Sequence, residues 1–239
     1  MRKGVKRLVI AGVILFAVGI IGGGIAFGIA AANGEWHRGR WGIFHGTGTV
    51  VEAEYPGETI ERVVVDMGAG QLKIKRGEAF SIYGEGLYND FRNEIVDGTW
   101  HIGQGEEDNG FWDLFHSAGE IELTIPENIE LSELSLSVGA GELEAESVNA
   151  GQLSVTCGAG RVSIDEAKAD QVNISCGVGE VELGLWGTEA DFRPDVTCNV
   201  GEVTIGDRHY KGLNHNTNET NAKLNVHCGV GKVEVSFLE

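Results

Sequence analysis

Four cysteines, seven histidines and 36 acidic side chains are the residues of this 239-residue chain that could do chemistry. Cys157, Cys176, Cys198 and Cys228 follow one another at intervals of 19, 22 and 30 residues. Thiols can pair as disulfides, hold a soft metal or attack as thiolates. No Cys-x-x-Cys occurs, and the histidines at 37, 45, 101, 116, 209, 215 and 227 include no H-E-x-x-H and no close pair. Zinc chemistry therefore has no ligand spacing to rest on. A P-loop and a G-x-S-x-G elbow are also absent. The several G-x-G units lie within alternating strand patterns with no helix after them, which excludes a dinucleotide fingerprint. Ser137, Thr156, Ser175, Thr197 and His227 recur one step before the same point of the pattern. Nothing pairs any of these hydroxyls with a base and an acid. No catalytic residue, metal or cofactor is expected.

The elements that carry the cysteines are repeats. Apolar-x-apolar-x-[small apolar]-G-[AV]-G-x-apolar-x-apolar occurs at 63–74, 134–145, 153–164, 172–183, 196–205 and 224–235, the fifth copy being shortened, with Asn199 for its first glycine. Strict alternation on each side of a glycine pair predicts two half-buried strands joined by a tight corner. Asn199 is expected to share the left-handed backbone of the glycines it replaces. A unit of about 19 residues cannot bury its own apolar face, and stacking the units does so. The fold class expected is all-β: a parallel β-helix-like solenoid, with a β-sandwich as the alternative. The longer intervals are expected to be loop insertions, above all Gly212 to Asn221.

Within that register the four cysteines share one inward slot, filled by Met67 and Val138 in the first two copies. The slot calls for a small buried hydrophobe, which free Cys satisfies. Stacked rungs would hold neighbouring Cβ atoms about 4.8 Å apart, beyond the ~3.5–4.5 Å of a disulfide. Buried structural thiols are the expectation and disulfides the alternative. The first residue after each corner is Gln71, Glu142, Arg161, Glu180, Glu202 and Lys232. On stacked rungs Arg161 is expected between Glu142 and Glu180. The acidic face as a whole reads as a solvated surface rather than a calcium site, since no Asp-rich loop is present.

Two segments stand outside the repeat. Residues 8–32 contain no charge and, at 1.5 Å per residue, form a helix long enough for a ~30 Å hydrocarbon core. Arg2, Lys3, Lys6 and Arg7 precede them, so the positive-inside rule places 1–7 in the cytoplasm and 49–239 outside, after a linker at 33–48. A cleaved signal peptide ending at Ala32 is the alternative; both export the rest of the chain. The second segment, 103–120, sets Phe111, Trp112, Leu114 and Phe115 among acids. It is expected either to cap an open end of the solenoid or to contact a partner.

Composition agrees with a folded, exported domain. Glycine, at 37 residues, is about twice its usual share, and only 3 prolines occur. The 42% apolar content suffices for a core. The net charge of -18 divides into +4 for the first seven residues and -22 for residues 33–239, which excludes nucleic acid as a partner.

The G-[AV]-G strand repeats, with IELTIPE at 121–127 leading into them behind a single hydrophobic span, make the chain similar to the bacterial "putative adhesin" β-strand-repeat family, a domain of unknown function. The likeness covers roughly 60–239. It implies a bacterial cell-surface location and brings no catalytic residues. The function expected is a membrane-anchored, non-enzymatic binding or adhesion module for a surface ligand or membrane protein. A structural or sensory component of the cell envelope is the alternative, and a β-helical polysaccharide enzyme stands third.

Overall fold

The computed structural model describes residues 49–87, 91–103, 119–211, 215–217 and 223–239. The hydrophobic span 8–32, the linker and the aromatic residues Phe111, Trp112, Leu114 and Phe115 lie outside the described residues. Among the described residues eleven strands run in chain order: β1 (Thr49–Tyr55), β2 (Arg62–Gly77), β3 (Phe80–Leu87), β4 (Arg92–Val96), β5 (Thr99–Gly103), β6 (Gly119–Pro126), β7 (Leu131–Trp186), β8 (Asp195–Ile205), β9 (Arg208–Lys211), β10 (His215–Asn216) and β11 (Leu224–Leu238). One short helix, α1 (Glu189–Phe192), precedes β8. Among the described residues no helix is long and apolar enough to cross a membrane.

The copies stack as parallel rungs of a solenoid, not as the facing sheets of a sandwich. β2 lies parallel to the start of β7, Met67 opposite Val138 and Leu72 opposite Leu143. β7 then winds through three rungs without interruption. In one 19-residue turn Leu153, Val155 and Cys157 face inward before the corner, Val162 and Ile164 after it, and Ala167 from the return segment. The alternation read from the sequence thus becomes a single contiguous core along the stack.

Spatial order departs from chain order at both ends. β11 pairs parallel with the 172–186 stretch of β7 on one side and with β8 on the other. The last copy is therefore wedged between the fourth and the fifth: the 22-residue interval from Cys176 to Cys198 skips a rung, and the 30-residue interval, which includes β9 and β10, returns to the rung between. At the opposite end, the outer edge of β2 pairs with β5 along its first half and with β6 along its second. Those two strands form one further rung, divided between Gly103 and Gly119, which precedes the first recognised copy in space and follows it in sequence.

Each open end is closed by antiparallel strands. β3 covers β6 and is covered by β1, while β4 covers β5. At the far end β9 and β10 cover β8. Such covering removes free parallel edges on which other chains could build. Trp100 anchors the first end: fully buried, it meets Tyr55 and Phe80 edge to face at 5.2 and 6.0 Å and donates from Nε1 to Asn93 Oδ1 at 2.8 Å.

The corners explain the glycines in two ways. The second glycine of each corner is left-handed, as at Gly160 (φ +150°), and a β-carbon there would overlap the carbonyl oxygen of Gly141 on the rung before. The first glycine is not left-handed; it is required by closeness, since a β-carbon on Gly177 would stand 2.6 Å from Gly158 O. Asn199 fills this first place on the outermost rung and, contrary to the sequence expectation, has no positive φ.

Candidate functional site

The inward cysteine slot forms a row in the spatial order Cys157, Cys176, Cys228, Cys198, set by the parallel registers Cys228↔Cys176 and Cys228↔Cys198. All four are free thiols, each at most 1% exposed. Neighbouring thiols hydrogen-bond along the row. The bond with Cys157, then burial, pushes Cys176 up to about 12, whereas Cys157 is lowered by its bond with Cys176. Burial raises Cys198, and Cys176 together with burial raises Cys228. Nucleophilic chemistry needs the thiolate and access: burial denies access to all four, and the thiolate is further withheld at Cys176, Cys198 and Cys228. At pH 8 iodoacetamide is expected to leave the four thiols of the native protein unmodified and to alkylate all four in denaturant, as read by intact mass. Because Cys176, Cys198 and Cys228 hold their protons more tightly when folded, their contribution to stability is intact below the ordinary thiol pKa of ~8.5. It declines as pH rises from there toward the folded value for Cys176.

Outward side chains form ladders as well. Following the corners in space, the first position reads Gln71, Glu142, Arg161, Glu180, Lys232, Glu202. Arg161 binds Glu180 at 2.8 Å, and Lys232 binds Glu234 at 2.6 Å and Glu180 at 3.5 Å. Glu234, more than Glu180, raises the Lys232 ammonium, and the Lys211 hydrogen bond holds the Glu202 carboxyl low. In chain order Glu180 and Glu202 would be neighbours; wedging β11 between them places a lysine there instead. These are exposed pairs, each contributing about 0–1 kcal/mol.

Two grooves cross the rungs. The first, about 320 Å³, lies on the strand face before the corners. Its walls are rows of polar side chains, Thr156, Ser175, His227 and Thr197 in one, with Asn225 Nδ2 donating to Asn173 Oδ1 at 2.9 Å in the next. The second, about 350 Å³, follows the return segments beside Trp186 and Phe192. Asp191 closes its end, its carboxylate held low by hydrogen bonds from the Thr188 hydroxyl and amide. Among the described residues no cluster of three or more His, Cys, Asp or Glu is arranged to hold a metal ion.

Of the outward hydroxyls read from the sequence, Thr156, Ser175 and Thr197 are brought together with His227 in the first groove, and the four cysteines are brought together in the core. Phe111, Trp112, Leu114 and Phe115 lie outside the described residues, between β5 and β6 in sequence. Trp186 escaped the sequence reading because it lies just past the end of a repeat copy. Its signal was the 19-residue recurrence of Glu130, Asn149, Lys168 and Gly187, a second period running outside the glycine motif.

The family model described as Toastrack DUF4097 matches residues 56–229, most of the chain and nearly all its rungs. The chain belongs to the Toastrack family. Three solved structures align with this Toastrack chain at low identity. A "putative cell adhesion protein" from Clostridium sporogenes is 17% identical, with 80% of this chain and 100% of that one covered, at a TM-score of 0.45. A "putative adhesin" from Bacteroides fragilis is 14% identical over 78% and 97%, with a TM-score of 0.36. A "putative adhesin" from Parabacteroides distasonis is 12% identical over 80% and 98%, with a TM-score of 0.25. No curated protein matches this Toastrack chain.

Proposed function

We propose that this Toastrack protein is a non-enzymatic, adhesin-like binding module, held at the cell membrane by residues 8–32 with residues 49–239 outside the cell. The observation that supports this reading is the first groove, in which four rungs contribute polar side chains in register, hydroxyls from three and an imidazole from the fourth. Such an array offers hydrogen bonds at a fixed repeat, which suits an extended ligand gripped at several points. Side chains that reach solvent from a continuous sheet are also held in place by their neighbours, so little ordering cost falls on binding.

The test has two arms. Protease added to intact cells is expected to degrade the domain while sparing a cytoplasmic marker; protection of the domain would overturn the outward placement. The full chain in nanodiscs, applied to arrayed glycans and surface proteins, is expected to be retained by a subset of them without altering it. Chemical turnover of a retained compound would overturn the non-enzymatic reading. Retention solely by a membrane signalling protein would move the function from adhesion to sensing.

A further inference from the structure

Resting on that reading, we propose that the second groove is an oligosaccharide-binding site in which the indole of Trp186 serves as the stacking platform for a sugar ring. Trp186 is 44% exposed, whereas Trp100, the other described tryptophan, is fully buried. An indole left in solvent at the end of a groove offers a flat apolar face together with one N–H donor, the combination that suits the alternating CH and OH surfaces of a pyranose ring.

The platform is firmly held. The Trp186 backbone pairs with Leu238, and Gly187 N donates to Leu238 O at 3.0 Å. Directly after it, Phe192 is buried and stacks on Phe237 with ring centres 6.0 Å apart. Lys223 N donates to Phe192 O at 2.8 Å, joining the α1 segment to the wedged last rung. Binding would therefore require little rearrangement of the wall that carries the indole.

From Trp186 the groove runs back along the stack past Lys168 and Asn149 to Glu130, one residue per rung. Three steps at about 4.8 Å span roughly 14 Å, and the steps recur at nearly the interval of the rings in an extended β-linked sugar chain. Glu130, Asn149, Lys168 and Asp170 line this path without a side-chain hydrogen bond or ion pair among the described residues. Beside the corners several charges are engaged with one another, as in Lys75–Glu122, Arg161–Glu180 and Lys211–Glu202. A carboxylate acceptor, an amide that both donates and accepts and an ammonium donor, all uncommitted beside an aromatic plate, match the hydroxyls of a sugar. With three carboxylates and two lysines lining it, the groove does not suit a polyphosphate or a nucleic acid.

The experiment titrates the full chain in nanodiscs with linear oligosaccharides of two to six residues, built from β-1,4-glucose, β-1,4-N-acetylglucosamine or α-1,4-galacturonate. Calorimetry measures affinity and tryptophan fluorescence reports the stacked ring. At least one series is expected to bind, with affinity rising with length until the groove is filled. W186A is expected to weaken binding roughly tenfold, about one ring-stacking contact, with an unchanged circular dichroism spectrum and melting temperature. W186F should retain part of the affinity, and K75A, which lines neither groove, should retain all of it. The site is overturned if W186A binds as the parent does, or if K75A weakens binding as much as W186A. Failure of all three series together with retention on a protein surface overturns the sugar assignment and leaves the binding-module reading standing.

Discussion

Gly160→Ala is expected to lower the melting temperature by roughly 10 °C or to prevent folding, whereas Gly57→Ala should cost only a few degrees. Both glycines are left-handed, at φ +150° and +85°, so both substitutions meet backbone strain. They differ in surroundings: nothing stands within 4 Å of a β-carbon at Gly57, while one at Gly160 would overlap the Gly141 carbonyl. Strain of this kind costs about 1–3 kcal/mol. The overlap at Gly160 adds to it and has no easy relief. The Gly141 carbonyl belongs to a rung already pressed on the one before, and the carbonyl of Gly160 itself touches the place where a Gly179 β-carbon would be. Moving one rung outward opens the parallel ladder on which its core side chains depend. A total of about 4 kcal/mol corresponds to roughly 8–16 °C in a domain of this size. Thermal melts followed by circular dichroism of the two variants and the parent decide the matter. Equal effects at the two sites would show that backbone conformation alone, without rung contact, explains the corner.

The corner column also marks how much was legible beforehand. Alternation around G-[AV]-G fixes the strands, their inward faces and the cysteine slot, because burial on one face leaves a period of two that any reader can count. The family match over residues 56–229 agrees with that reading. Three features were not legible. The rung divided between β5 and β6 carries no G-x-G unit, since its halves are separated where the corner would be; the signs that remain are the in-register pairs Val63↔Trp100 and Leu72↔Ile121. The order of the last two rungs is invisible to local patterning, because either order buries the same side chains. Asn199 was read as a left-handed substitute, but the first corner position is governed by the distance to the next rung, a property of stacking and not of the residue's own dihedral angles. Of the candidate sites, the polar face and the thiol row follow from periodicity. The second groove depends on where the chain leaves the stack after Trp186, which a repeat alignment does not contain.

The wedged position of β11 leads to the second large effect. A chain ending at Ala222 is expected to lose its cooperative thermal transition, not merely its final repeat. In a solenoid stacked in chain order, removing the last copy exposes one rung face and leaves the others intact. Here the removed segment carries Leu224, Val226, Cys228, Val233 and Val235, all buried, and among the described residues it is the only parallel neighbour of β8. Losing five such side chains at about 1.5–3 kcal/mol each approaches or exceeds the ~5–15 kcal/mol that holds a domain together. The remaining rungs could close the gap only by bringing β8 directly onto the fourth copy. In the common register this would set Glu202 opposite Glu180, with no Lys232 between them, and like charges facing across strands oppose pairing. Circular dichroism and hydrogen exchange on the truncated chain test this. A cooperative melt within a few degrees of the parent would mean that β8 re-pairs freely and that the wedge is dispensable. If the wedge is needed, a synthetic peptide of residues 223–239 should restore the transition when added in trans. The same peptide carrying K232E should restore it less well at low salt than at high, because screening weakens the repulsion that the lysine otherwise removes.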